Sequence, residues 1–251
     1  MRKQWSDIYY MLKEGRSLNE ISRKLGLNKS TIYYHYRKIF DKKNKEINIK
    51  RAPDNKIGEF IGAFAGDGCY SKDKNYHHTV TFHFSSDEMN YVNSFKNLLQ
   101  NIFGKEPCIY KQGNKIVIQY RSKKMIEFIR KYLRWIGKRT KTVALCGGIN
   151  RYSNEFLIGF LRGNLDTDGY VSKRKVVTFS TASEKLNKQI KNILDKLNIK
   201  YSEYIDTYVN NKKRIKTGGS WGPQYRIDIK GIDGTRLLQK IEPHNPKRIR
   251  K

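Results

Sequence analysis

Cysteine, proline and acidic side chains are all scarce in this 251-residue chain, and long apolar runs are missing altogether. The three cysteines, Cys69, Cys108 and Cys146, are scattered and form no Cys-x-x-Cys pair. Their number and spacing exclude a zinc ribbon and a disulfide framework, and they fit a reducing, cytoplasmic setting. No apolar stretch approaches the ~18 residues that a membrane span requires. The opening residues Met1-Arg2-Lys3-Gln4-Trp5 lack the apolar core of a signal peptide. No membrane partner is therefore expected. Asp and Glu number 23 against 52 Lys and Arg, a net charge of +29. A surface that basic repels itself and needs a polyanion, most simply double-stranded DNA. A membrane-surface protein would gather its cations beside an amphipathic apolar face, whereas these are spread along the chain.

What is present begins with a small helical head over residues 1–40. Ile8, Met11 and Leu12 have helical spacing, and Gly15 ends that segment. Ser17-Leu18-Asn19-Glu20 has the Ser-x-x-Glu form of a capping box and opens a second helix that Gly26 breaks. A third starts at Asn28-Lys29-Ser30-Thr31, with Ile32, Tyr36 and Ile39 as its buried stripe. Two helices about a Leu-Gly-Leu turn resemble a helix-turn-helix, whose second helix would offer Lys29, Thr31, Tyr33 and Arg37 to DNA. The plainer alternative is a three-helix bundle with a solvated charged face. Residues 41–54 are polar and basic (Lys42, Lys43, Lys45, Lys50, Arg51), as suits a linker.

The remainder repeats itself, which is the most informative feature of the sequence. Residues 57–68, ending Gly66-Asp67-Gly68, lie over residues 158–169, ending Thr167-Asp168-Gly169, at a shift of 101 (168 minus 67) without a gap. Val80-Thr81-Phe82 matches Val177-Thr178-Phe179 at a slightly shorter shift, as a shortened loop would produce. Apolar-periodic helices follow at 89–102 and 186–197. Strand-like segments come next, Cys108 to Ile118 about Gln112-Gly113-Asn114 in one half, and 201–209 with 225–229 in the other. Closing helices are expected at 125–135 and 234–241. The expected class is α+β: tandem pseudo-twofold αββαββα repeats over 55–150 and 151–251 behind an all-α head.

Gly58, Gly62 and Gly66 recur every four residues, as do Gly159, Gly163 and Thr167. On a helix that spacing drifts by only ~40° per step, so the small residues share one side. Glycine costs ~1 kcal/mol per helical site relative to alanine, and close approach of two backbones compensates for it. The two helices are therefore expected to pack on each other across a pseudo-twofold axis. Asp67 and Asp168 then meet at helix C-termini, where the dipole disfavours anions. Gly68 and Gly169 are available for a left-handed exit. A symmetric carboxylate pair in a basic protein points to a divalent cation with oxygen ligands, Mg2+ first and Mn2+ as a substitute.

Residues 60–68 and 161–169 resemble the two signature motifs of LAGLIDADG homing endonucleases, and the resemblance extends over roughly residues 55–251. It implies a saddle of paired sheets over double-stranded DNA and a metal-dependent double-strand break in a long asymmetric target, as in homing of an intron or similar mobile element. It implies a monomer with internal pseudo-twofold symmetry. Asp67 and Asp168 would bind metal, with Gly66 and Thr167 beside them in the metal set, and Asp166 would be an interface residue. A basic residue from each half would stabilise charge at the scissile phosphate, for which Lys138 and Lys247 occupy corresponding places. Where some relatives hold metal-bound water with glutamine, the aligned positions are Ser86 and Ser183. Strands after each motif would read the major groove through Tyr70, Lys72, Tyr76 and His78 in one half and Tyr170, Ser172, Arg174 and Lys175 in the other.

His77, His78 and His83 lack a carboxylate or cysteine to complete a ligand set, so they are expected to be exposed or to face DNA. His244-Asn245 is similar to the end of a self-splicing intein, but Pro246 follows it and no splicing block opens the chain. Two other functions stay open: a DNA-binding regulator on this fold that does not cleave, and an RNA-splicing maturase.

Overall fold

Residues 2–39, 47–206 and 223–249 are described by the computed structural model, and they divide into two units, Met1–Glu46 and Ile47–Lys251. The start of the expected linker (41–46) and the end of the strand expected over 201–209 (207–209) lie outside the described residues.

In the first unit, α1 (Arg2–Lys13), α2 (Leu18–Leu25) and α3 (Lys29–Ile39) follow the punctuation in the sequence. The Ser17 hydroxyl accepts the Glu20 N–H at 3.2 Å, and Gly26 closes α2 at φ +64, a conformation that costs glycine nothing. Ile8, Met11, Leu12, Ile21 and Ile32 form a small core. His35 is buried more deeply than Tyr36, edge-on to Trp5. Lys29, Thr31, Tyr33 and Arg37 are exposed, with the Arg37 guanidinium over the Tyr33 ring.

The larger unit takes in part of the stretch expected as linker. Ile47 is buried in its core, and the N–H groups of Asn48 and Lys50 donate to the carbonyls of Phe103 and Ile102. Its first repeat runs α4 (Asp54–Gly66), β1 (Cys69–Lys72), β2 (His78–Ser85), α5 (Met89–Phe103), β3 (Cys108–Gln112), β4 (Lys115–Arg121) and α6 (Lys123–Tyr132). The helix expected to reach Trp135 stops at Tyr132 because Leu133–Arg134 (β5) pairs with Ala144–Leu145 (β6), around the short α7 (Arg139–Thr142). The second repeat runs α8 (Asn154–Asp168), β7 (Tyr170–Val171), β8 (Val177–Thr181), α9 (Glu184–Lys196), β9 (Ser202–Asp206), β10 (Gln224–Ile229) and α10 (Gly231–Ile241). A 3-10 turn, Pro246–Arg248, follows. Both halves are αββαββα, a mixed α and antiparallel β architecture.

Each repeat builds one four-stranded antiparallel sheet, ordered β1-β2-β4-β3 and β7-β8-β10-β9. The pair Cys69↔Thr81 corresponds to Tyr170↔Thr178. These partners are 12 and 8 residues apart (81 minus 69, 178 minus 170), so the second connection is four residues shorter. Val80, Phe82 and Phe84 on β2, and Val177 and Phe179 on β8, turn one face of each sheet onto the central helices. Phe60, Phe64, Phe95, Phe103 and Phe160 fill a single contiguous core with them; each such burial is worth roughly 1.5–3 kcal/mol. The opposite faces are polar and partly exposed, with Val117, Thr178 and Asp228 buried on them, and β3 and β9 are exposed along their whole length.

Candidate active site

The glycine stripes do what their spacing predicts. A Cβ on Gly58 would sit 2.1 Å from the Phe156 carbonyl oxygen, and one on Gly159 2.0 Å from that of Asn55. One on Gly62 would meet the Phe160 oxygen at 2.1 Å, and one on Gly163 the Glu59 oxygen at 1.9 Å. A shift of 101 turns each contact into its mate, so α4 and α8 pack backbone to backbone across an internal pseudo-twofold. The exits differ from expectation: neither Gly68 nor Gly169 is left-handed. Both are needed because the chain folds back on its own helix. A Cβ would lie 2.4 Å from the Phe64 ring at Gly68 and 2.4 Å from Leu165 Cδ1 at Gly169.

This packing brings Asp67 and Asp168 within hydrogen-bonding reach of each other. Loss of surrounding water and the adjacent Asp67 carboxylate push Asp168 up to about 7. Since Asp168 keeps an exposed edge, the neighbouring charge is the firmer of the two causes. Asp67 is also raised, first by partial burial, against the opposing guanidinium of Arg248 at 3.9 Å. Two crowded carboxylates with an open edge, each disfavoured as a lone anion, suit a hard divalent cation in donor type and charge.

The guanidinium groups that reach the two carboxylates belong to residues one place beyond the expected lysines. Lys138 is exposed at the start of α7, and the Lys247 ammonium is turned to Asp87 at 2.8 Å. The following residues, Arg139 and Arg248, carry the guanidinium groups that act on both carboxylates. Arg139 donates to the carbonyls of Phe64 (2.9 Å), Ala65 (2.7 Å) and Gly66 (2.9 Å), at the electronegative end of α4. Arg248 Nε donates to the Asp166 carbonyl at 3.3 Å, and Asp166 is the pseudo-twofold mate of Ala65. Both sites read Lys-Arg, so nothing local in the sequence chooses between the two residues.

Other expected positions are redistributed. The Gly66 carbonyl accepts Arg139, and the Thr167 hydroxyl is turned inward, donating to the Gly163 carbonyl at 2.9 Å. Ser183 is fully buried: its hydroxyl donates to the Val143 carbonyl at 2.6 Å and caps α9 by accepting the Leu186 N–H. It cannot orient water, and Ser86 is exposed. The polar group beside Asp67 is instead the buried Glu88, which raises the Asp67 pKa. On β1 and β2, Tyr70, Lys72 and His78 share the face of Val80, because directly paired residues lie on one side. Tyr70 is half-buried against Trp135 and hydrogen-bonded to His78. The other face of that sheet carries Ser71, Thr79, Thr81, His83, Gln119 and Arg121 together with the buried Val117, so Tyr70, Lys72 and His78 lie on the face opposite these residues. In the second half Tyr170 has the open-face parity, with Arg226 and Tyr204. Ser172, Arg174 and Lys175 lie in the turn after β7, where the Ser172 hydroxyl accepts the Val176 N–H and Lys175 has φ +58. His77 is exposed and bonded to Asp73.

A buried polar network that sequence reasoning missed lies behind the carboxylates. Asp166 is fully buried, and its carboxylate accepts the N–H groups of His244 (3.0 and 3.1 Å) and Asn245 (3.0 Å). Burial pushes it up to about 6 against those bonds. Glu59 is raised by burial but held below the usual range overall by His244, Lys56 and Arg162. Glu59, Asp166 and His244 place ligand-type atoms within 4.8 Å of one another. Their lone pairs are already engaged by backbone N–H groups and by Arg162 and Lys56, which makes the cluster a poor cation site.

Residues 155–241 match the model of the LAGLIDADG-like domain family. Among solved structures, mesophilic variants of the homing endonuclease I-DmoI are 15% identical, with a TM-score of 0.56 over 75% of this chain and 95% of theirs. The homing endonuclease I-WcaI bound to its DNA recognition sequence is 16% identical, with a TM-score of 0.51 over 84% of this chain and 89% of its own. A curated relative, a glutamine–fructose-6-phosphate aminotransferase of Methanocaldococcus jannaschii, is 21% identical over 233 residues, or 90% of this chain. The chain spans about a fifth of that protein's length, 19%. No described helix is long and apolar enough to cross a membrane.

Proposed function

Because the larger unit of this chain has the two-motif LAGLIDADG fold, with a LAGLIDADG-like domain at residues 155–241, we propose that it is a site-specific DNA endonuclease. It would make a double-strand break in a long asymmetric duplex, using Mg2+ with Mn2+ as a substitute. The observation that carries the proposal is the Asp67–Asp168 pair at the abutting ends of α4 and α8, flanked by Arg139 and Arg248. Held by those carboxylates, a divalent cation supplies Lewis acidity toward a phosphodiester and lowers the pKa of water.

The chain's own groups have separable tasks. Asp67 and Asp168 both stay ionised only above about pH 7, or once a cation offsets their repulsion. Arg139 and Arg248 stand beside them, preorganised to stabilise negative charge that builds on the phosphate oxygens. The two open sheet faces repeat across the same pseudo-twofold, so one chain presents two different reading surfaces to an asymmetric duplex. The exposed α3 residues Lys29, Thr31, Tyr33 and Arg37 would add contacts from the first unit. The high positive charge supplies phosphate affinity and its salt dependence.

The test uses a supercoiled plasmid library with randomised duplex inserts, incubated with the full chain in Mg2+ or in EDTA. Linear products in Mg2+ alone, recovering one site repeatedly, support the reading. Binding without cutting, in Mg2+ as in EDTA, would favour a non-cleaving regulator. Splicing of a precursor RNA only on addition of the chain would favour a maturase.

A further inference from the structure

The two arginines occupy mated positions but are held by unlike means. Arg139 is clamped by three carbonyls at the end of α4. Arg248 donates to a single carbonyl among the described residues, that of Asp166, and makes a longer approach to Asp67. Its place depends on the turn that carries it. Asn245, fully buried, caps that turn: its Oδ1 accepts the Lys247 N–H at 3.1 Å. Its Nδ2 donates to Glu88 Oε1 and to the Asp166 carbonyl, both at 2.9 Å. The Asp166 carboxylate accepts the backbone N–H groups of both His244 and Asn245. Beyond the turn, Ile249 bridges to Val171. In the first repeat the mates of Asp166 and Arg162 are Ala65 and Ile61, whose side chains can hold nothing polar.

We propose that Asp166 and Asn245 are positioning residues that set Arg248 against Asp67 in one half of the site only, so that losing them slows the cutting of one strand and spares the other. The inference rests on the endonuclease reading. It assigns the first acidic residue of the second motif a task that the first motif has no side chain to perform. Asp166 spends both carboxylate oxygens on the turn, and Asn245 both faces of its amide. Removing either frees the segment without touching Asp67, Asp168 or Arg139.

The experiment follows both strands of a supercoiled plasmid carrying the site recovered from the library, with each strand labelled separately. In Asp166→Ala and Asn245→Ala, one strand is expected to be cut at least tenfold more slowly than the other, so that nicked circles accumulate. Arg248→Ala should produce the same strand bias, and Asp166→Ala combined with Arg248→Ala should be no worse than either alone. Asp166→Asn keeps the side-chain volume and one acceptor oxygen, so it should fold and show a smaller bias toward the same strand. Hydrogen–deuterium exchange should quicken over 244–248 in Asp166→Ala but not in Arg248→Ala. Equal slowing of both strands, no bias, or unchanged exchange over 244–248 would overturn the proposal. A wild-type chain that cuts no plasmid would instead bring down the endonuclease reading, and this role with it, even where exchange shows the turn released.

Discussion

The two repeats of the larger unit share a strand order, a helix pairing and a set of glycine contacts, yet they differ in what stands behind each carboxylate. In the last turn of α4, next to Asp67, Ala63, Phe64 and Ala65 offer no polar side chain, and the nearby arginine takes its place from main-chain carbonyls. Around Asp168 the helix carries Arg162 and Asp166, both buried, the first bonded to the Ile241 carbonyl at the end of α10 and the second to the segment that follows it. The backbone arrangement is thus doubled, while the polar support was built on one side. Main-chain geometry alone can satisfy a guanidinium, because a helix end always has spare carbonyls. A turn near the chain's last described residues needs side chains to hold it.

The largest expected effect tests whether the halves contribute equally to chemistry. Asp67→Asn and Asp168→Asn should each lower double-strand cleavage by about a hundredfold or more, measured as linear product from the recovered site. If one variant retained full double-strand cutting, the symmetric assignment would fail. Next come the glycines. Gly62→Ala and Gly163→Ala drive a methyl to 2.1 and 1.9 Å from a backbone oxygen, and each should destabilise by about 3 kcal/mol or more. Chemical denaturation should give similar losses for these mates. Gly113→Ala has open space but φ +58, and should cost only about 1 kcal/mol.

A smaller effect separates the two serines expected to hold water. Ser183→Ala removes a helix cap and a bond to Val143, and should cost about 1–2 kcal/mol, whereas Ser86→Ala should leave the melting temperature unchanged. The pH dependence is the subtlest. Asp168 and Asp166 are raised to about 7 and about 6 from an ordinary 3.8. The folded state therefore keeps protons that the unfolded chain has released. The stability this contributes is complete below about pH 4 and is lost as pH rises through 6 to 7. Metal-free protein should melt lower at pH 8 than at pH 5.5 on this account, and Asp168→Asn should shrink the difference. Mg2+ should stabilise more at pH 8 than at pH 5.5, since it competes with those protons.

Element types were largely legible because periodicity survives at low cost: the capping box at Ser17, the glycine steps, and alternating Val80, Phe82 and Phe84 all name their structures. The end of the helix expected over 125–135 is not legible, because Leu133 and Arg134 are apolar and basic like the helix before them, and only pairing with Ala144–Leu145 ends it. Within the site, the carboxylates could be singled out because two motifs repeat them in register. The arginines could not, since each follows a lysine of equal charge and the choice is one of direction. The side taken by Tyr70 in the first repeat is not legible, because a tyrosine suits either face and only its pairing with Val80 sets it on the core side.

By itself, the sequence determined the doubled architecture, the close helix pair and the meeting of Asp67 with Asp168. Each of these follows from spacing along the chain, which secondary structure converts directly into position. Only the tertiary structure decided which cations face those acids, which sheet face is open, and that Asp166 and Asn245 brace one half alone. Those are matters of side-chain direction and of contacts between residues some 80 to 160 positions apart in the chain. No local period encodes them.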